Sequence, residues 1–244
     1  MELDIIRFEE FLDRHERVVL QFSAGKDSLA CLKLVKPYLN RIIVMWANGG
    51  NPYPETVDYM ERVKGEVPHF VELVGEQPGW IIKHGMPVDT LPVRAGHFGL
   101  QMHGEEVPLL QPFNQCCAHN LWEPMGAFIV KNGITGLIRG QKDSDYIKPP
   151  FRSGDKLGPL EFYHPIESWT TEEVVAFLGD EIPDSYKRGL KSSLDCMNCT
   201  AYVKENKGRI EDLELIYPPA AKQIQQIHTF LREELRRQLH DLGD

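Results

Sequence analysis

The sequence has no apolar run close to the roughly 20 residues that a bilayer-crossing helix needs, no internal repeat and no low-complexity stretch. A membrane partner, a solenoid and a flexible linker are therefore outside the expectation. The opening residues Met1-Glu2-Leu3-Asp4 lack the positive charge of a secretory leader, which leads us to expect a soluble, cytoplasmic protein. Positive charge is also in deficit overall, with 27 Lys and Arg against 36 Asp and Glu and a net charge of -9. That balance disfavours indiscriminate binding to nucleic acid. A local basic groove stays open as an expectation, formed by Lys142, Lys148, Arg152 and Lys156 and then Lys187, Arg188 and Lys191. The plain alternative for such runs is solvated loops. Cysteine is scarce, five in 244 residues, and with nothing secretory beside them structural disulfides explain them poorly.

The cysteines that are present come grouped, as Cys116-Cys117 and, far downstream, Cys196-x-x-Cys199. Thiolates in pairs are how a chain holds soft metal. Neighbours on a helix point about 100° apart, so a tandem pair suits a single zinc ion badly. A cluster is wider than one ion and relaxes that constraint. The leading expectation is a 4Fe-4S cluster held by Cys116, Cys117, Cys196 and Cys199; zinc and redox-active or unliganded thiols remain open. Cys31, in an apolar helical stretch, reads as a small buried hydrophobe.

At 244 residues and 42% hydrophobic content the chain suits one compact unit with a proper core. Apolar positions Ile5, Ile6, Phe8, Phe11 and Leu12 predict a first amphipathic helix. Val18 to Phe22 reads as a buried strand, residues 28–36 as a helix closed by Pro37, and Ile42 to Trp46 as a second strand. Strand, helix, strand with short connections implies a parallel unit covered on both faces. The alternation continues with a helix near 54–64, a strand at His69–Val74, a helix near 114–131 and a strand at Ile134–Arg139. Residues 75–112, rich in Gly and Pro, predict an insertion over the strand ends, where loops shape pockets. From Pro218, Ile224, Ile227, Leu231, Leu235 and Leu239 predict a long amphipathic helix to about residue 242, its stripe serving the core or a homodimer contact.

Between the first strand and its helix lies Ser23-Ala24-Gly25-Lys26-Asp27-Ser28. Small residues permit a tight turn whose amides bind an anion, and the helix adds the positive end of its dipole. Lys26 would aim a cation at phosphate and Asp27 would help hold magnesium. The loop is not a Walker loop, since Leu20 stands where the first glycine would and no Ser or Thr follows Lys26 directly. An ordinary turn with a helix cap is the alternative.

This loop resembles the SGGKDS loop of the PP-loop adenine-nucleotide α-hydrolase superfamily, and the grouped cysteines resemble those of its phosphoadenosine phosphosulfate reductase family, above all the adenosine phosphosulfate reductases. Asn48-Gly49-Gly50 through Pro54-Glu55-Thr56 is similar to the family's DTG…PET segment, which implies that Asn48, Gly49 and Gly50 lie by the nucleotide. Gly136 to Gln141 resembles the G-x-R-x-x-Q/E strand end, which implies phosphate or sulfate binding by Arg139. His164 to Thr170 resembles the N-P-L-x-x-W-T turn opening a helix that ends near Leu178, and Gly189 to Thr200 resembles G-Y-x-S-I-G-C-x-x-C-T. Trp169 as a core anchor and Thr170 capping with Glu173 are readings that fit any fold. The resemblance runs over about residues 15–203 and implies a Rossmann-like three-layer α/β/α sandwich with a mostly parallel sheet.

Three departures shape the expected function. No cysteine follows Cys199, whereas the sulfonucleotide reductases attack sulfate with a cysteine in a tail ECGLH. Leu121 stands where the adenosine phosphosulfate reductases place a lysine after the tandem pair. Lys26 stands in the loop where those reductases have none. Together these point to an ATP-using enzyme with magnesium, in which Lys26, Asp27 and Arg139 act in catalysis and Ser23, Ala24, Gly25 and Ser28 help bind the nucleotide. It would adenylate an acceptor such as nucleic acid with pyrophosphate release, in sulfur transfer from a donor protein or thiol. The alternatives are a sulfonucleotide reductase relying on an external thiol and a non-catalytic nucleotide-binding or redox-sensing module. His97, His103 and His119 carry no assigned role.

Overall fold

The computed structural model describes residues 2–104, 106–145, 148–191, 195–204 and 208–243, without the side chain of His103. Ser192, Ser193 and Leu194 of the segment Gly189–Thr200 lie outside the described residues. The strands are β1 (Val18–Gln21), β2 (Ile42–Asn48), β3 (Phe70–Val74), β4 (Met86–Val88), β5 (Leu110–Pro112), β6 (Gly136–Ile138), β7 (Lys156–Leu157) and β8 (Leu160–Tyr163). The helices are α1 (Ile5–Arg14), α2 (Lys26–Leu34), α3 (Pro54–Glu66), α4 (Gln77–His84), α5 (His97–His103), α6 (Phe113–Cys117), α7 (Glu123–Lys131), α8 (Thr171–Leu178), α9 (Asp184–Lys187), α10 (Arg209–Ile216) and α11 (Pro218–Asp241).

Six strands form one sheet in the order β3-β2-β1-β6-β8-β7, parallel except for β7. The β-branched run of β1 is buried on both faces, as a central parallel strand requires. Val18 and Leu20 join the core beneath α1, α2, α3 and α8, while Val19 joins a second cluster with Met45, Leu137 and Phe162 that packs on Met125, Phe128 and Ile129 of α7. Helices thus cover both faces of a Rossmann-like three-layer sandwich. Cys31 sits fully buried in the first core. Thr170 caps α8 reciprocally with Glu173, and Trp169 is buried beside Phe177.

The chain runs from β1 through α2 to β2 on one side, while β6 adjoins β1 on the other. Such a reversal opens a crevice at the carboxyl ends of the two strands. Gly140, just past β6, packs directly on the N-terminus of α2: a Cβ there would stand 2.7 Å from the Asp27 carbonyl carbon and 2.8 Å from the Ser28 nitrogen. The absent side chain lets the end of β6 meet the loop after β1.

The segment 75–112 forms α4, α5 and a small parallel pair, β4 with β5. Its apolar residues pack on Ile227 of α11, and Ala220, Ala221 and Ile224 pack on Tyr53 and Leu190. The first half of the α11 stripe is therefore core of this chain, and Leu239 near its end is exposed. Among the described residues no helix is long and apolar enough to cross a membrane.

Candidate functional site

A cleft of about 1100 Å³ opens at the β1/β6 crevice. Ser23, Gly25, Lys26, Asp27 and Ser28 line it from one strand end, and Arg139, Gly140 and Gln141 from the other. Phe22, Met45, Ala47, Trp122 and Met125 add an apolar wall suited to a flat base. Gly25 caps α2 in extended geometry, and Ser28 Oγ ties the turn by donating to Gly25 O at 3.0 Å and accepting from Ser23 N at 3.2 Å. Ala24 takes a left-handed φ of 56° and faces a second cavity behind the loop.

Charges alternate along the floor of the cleft. Lys26 Nζ lies 2.5 Å from Asp27 Oδ2, Lys142 Nζ lies 2.7 Å from Asp27 Oδ1, and Lys142 Nζ lies 2.6 Å from Asp145 Oδ1. Burial lowers the Lys26 pKa against the pull of Asp27. Burial also acts on Lys142, but Asp27 and Asp145 outweigh it and raise its pKa. Both oxygens of Asp27 face ammonium groups, so the residues present do not offer this carboxylate as a magnesium ligand. Arg139 differs: among the described residues its guanidinium has no hydrogen-bond or ion-pair partner, and burial alone lowers its pKa. Gln141 Oε1 is likewise buried without a partner. The bare guanidinium is what a bound anion would complete, whereas the Gln141 oxygen calls for a donor.

Asn48, Gly49 and Gly50, expected beside the nucleotide, do not line this cleft. Asn48 donates to Glu72 Oε1 at 2.7 Å and accepts from Gly50 N at 2.9 Å. A Cβ on Gly49 would lie 3.2 Å from Cys196 Sγ, and one on Gly50, at φ +98°, would lie 2.7 Å from Gly75 O. These glycines accommodate the sulfur site and the turn after β3. Of the expected basic groove, Lys191 lines the cleft and most of the others meet acidic side chains. Lys142 is buried in its carboxylate pair, Lys148 donates to Asp143 O, Arg152 pairs with Asp143, Lys156 with Glu161, Lys187 with Asp184, and Arg188 with Asp212 and Glu55.

The four grouped cysteines converge from two directions. Cys116 and Cys117 end α6, and a π turn at Ala118–Trp122 follows them directly, a distortion common at functional sites. Burial pushes all four thiols up, Cys116 to about 12 and Cys117 to about 11. After burial, Cys199, Asp195, Cys116 and Cys117 each raise Cys196 further, so all four sulfurs lie within electrostatic range of one another. Yet among the described residues no three His, Cys, Asp or Glu side chains converge tightly enough to hold one metal ion. Four thiols bordering one pocket are a donor set whose chemistry suits soft metal, an iron-sulfur cluster included.

Side chains that the sequence did not single out hold this pocket together. Asn120 Nδ2 donates to Cys116 O at 3.0 Å and lies 3.8 Å from its sulfur, and Asn120 Oδ1 accepts from Glu76 N at 3.1 Å. Asp89 accepts from the amides of Tyr202 and Val203 at 2.7 and 2.9 Å, and Thr200 Oγ1 donates to Pro87 O at 2.5 Å. Arg209 binds the carbonyls of Cys196 and Met197. His119 stacks on Trp80 at 3.7 Å, and His97 meets His84 edge-on at 5.7 Å. Leu121 and Asp195 line the nucleotide cleft and also border Cys196.

With this geometry in view, the comparisons are direct. The profile of the phosphoadenosine phosphosulfate reductase domain matches residues 17–202. The chain belongs to that family. The match takes in the loop, Arg139 and all four grouped cysteines, and stops short of α10 and α11. Among solved structures, a phosphoadenylyl-sulfate reductase from Candida auris, in a phosphate complex, is 17% identical, covers 72% of this chain and 80% of that one, and gives a TM-score of 0.49. No curated protein matches the sequence.

Proposed function

We propose that this member of the phosphoadenosine phosphosulfate reductase family binds ATP in the β1/β6 cleft and cleaves it between the α- and β-phosphates, serving sulfur transfer to an acceptor such as nucleic acid. The observation that carries this reading is that Lys26 and the unpartnered Arg139 line the same cleft, an arrangement suited to a chain of phosphates. The acceptor oxygen forms a bond to the α-phosphorus as the α-β bond breaks, and pyrophosphate leaves with the bonding pair. Lys26 and the amides at the start of α2 stabilise that leaving charge, and Arg139 orients the nucleotide. Sulfur from a donor protein or thiol then displaces AMP. Magnesium accompanies ATP as its counter-ion, with no ligand role assigned to Asp27. Cys116, Cys117, Cys196 and Cys199 would hold a 4Fe-4S cluster, which when bound supplies a one-electron or sulfur-handling centre behind Leu121.

The family match favours a second reading, reduction of a sulfonucleotide with an external thiol. Anaerobic protein offered ATP with candidate acceptors should release pyrophosphate and, offered adenosine phosphosulfate or phosphoadenosine phosphosulfate with thiol, no sulfite. Sulfite without pyrophosphate would replace the first reading with the second.

A further inference from the structure

The family profile stops at residue 202, but the Cys196-x-x-Cys199 turn is gripped from beyond that point. Arg209 opens α10 and is only 7% exposed. Its Nε donates to the Tyr53 hydroxyl at 2.9 Å, its Nη2 donates to Met197 O at 3.0 Å and to Cys196 O, and its guanidinium lies over the Tyr53 ring at 5.5 Å. Burial raises the Cys199 pKa, and the Arg209 charge opposes that rise. Among the described residues no carboxylate pairs with Arg209, so its hydrogen-bond partners are two carbonyls and a phenol. A buried guanidinium stays charged, and its planar fork spans acceptors that one ammonium cannot span. Leu121, which with Cys196 Sγ flanks Gly49, brings no charge.

We infer that Arg209 is a positioning residue of the sulfur site: it fixes the turn that carries Cys196 and Cys199 and sets a permanent positive charge beside that turn. The inference rests on the cluster reading above, and it makes a helix outside the family-matched segment part of the site. A cation beside a cluster favours its reduced, more negative form, because cluster potentials follow net charge and hydrogen bonding at the sulfurs. A residue that merely supports the fold would not shift that potential.

Wild type, R209K and R209M are loaded anaerobically with iron and sulfide and titrated by dye-mediated potentiometry with EPR detection. The midpoint potential should fall in R209M and much less in R209K; equal potentials at equal iron content overturn the inference. In the iron-free proteins, hydrogen exchange at the Met197 and Cys199 amides should quicken about tenfold or more in R209M, the loss expected for hydrogen bonds to a charged group. Unchanged exchange also overturns it. Should R209M fail to fold, R209K decides: it keeps the charge and loses the fork, so exchange must rise while the potential stays near wild type. A wild type that takes up no iron sinks the cluster reading alone, and the exchange rates still judge Arg209.

Discussion

The nucleotide cleft and the thiol pocket share Leu121 and Asp195 along one wall but are assembled by different means. The cleft is made of contiguous pieces: a loop that follows β1 and a strand end that follows β6, brought together because the two strands are neighbours. The pocket is stapled from far-apart segments. Asp89 and Pro87 of the 75–112 segment, Arg209 of α10 and His228 of α11, whose Nε2 lies 2.9 Å from Thr200 O, all end on one short turn. A cleft built from backbone topology should tolerate side-chain loss with its shape intact; a pocket built from staples should fail when its centre is removed.

The hardest break is in the pocket. Cys196→Ser or Cys199→Ser should abolish iron binding and expose the 195–204 turn to proteolysis, while ATP still binds the cleft in a calorimetric titration; unchanged iron content would show that these sulfurs are not ligands. Away from the pocket, His164, just past β8, sharpens the contrast. It is buried, both ring nitrogens lack partners, and burial lowers its pKa to about 4. A histidine depressed on folding contributes stability that is complete above its unfolded value near 6.5 and is lost as pH falls toward about 4. The shift corresponds to about 3 kcal/mol, so denaturant melts should weaken across that window in wild type and not in His164→Asn. Equal acid sensitivity of the two proteins would refute the assignment.

Gly140→Ala should cost about 1–3 kcal/mol, the usual range for overpacking, because the added methyl meets backbone of α2. It should also weaken ATP binding by parting the two halves of the cleft; a variant with wild-type stability and affinity would show that their close approach is unimportant. Lys26→Ala should weaken ATP by about tenfold or more, the scale of a charge-assisted hydrogen bond, and AMP much less. Equal losses for both nucleotides would remove Lys26 from the outer phosphates. Least of all, Ala24→Gly should raise stability by a fraction of the roughly 1–2 kcal/mol that left-handed geometry costs an L-residue, offset by the greater freedom of glycine when unfolded. Melting temperature reads the difference, and a lower value contradicts the strain.

The same division explains what could be read without coordinates. Apolar runs rich in β-branched residues, such as Val18-Val19-Leu20 and Ile42-Ile43-Val44, announce buried parallel strands, and the small-residue loop between them announces a turn onto a helix. β8 is harder to see, because Glu161 interrupts its apolar character. The burial of Glu161 depends on Arg14 at the end of α1, His15 just after it and Lys156, which only the folded chain brings near. β4 and β5 are three residues long and contain Pro87 and Pro112, so no periodicity marks them. At the site, the sequence marks Gly49 and Gly50 only by resemblance to a nucleotide-binding segment, and what occupies the space beside them, Cys196 and Gly75, is not legible in it. Arg209, Asp89 and Asn120 carry no motif at all; their roles arise from contacts across the fold.

The alternating row Lys26, Asp27, Lys142 and Asp145 makes the loop its own competitor for an anion. A lone inorganic anion arriving there gains little, since it must evict a carboxylate held 2.5 Å from the ammonium it seeks. On the proposed reading, a ligand bearing several phosphates would meet Arg139 at the same time and so displace the carboxylate, and the cleft would select by charge before shape.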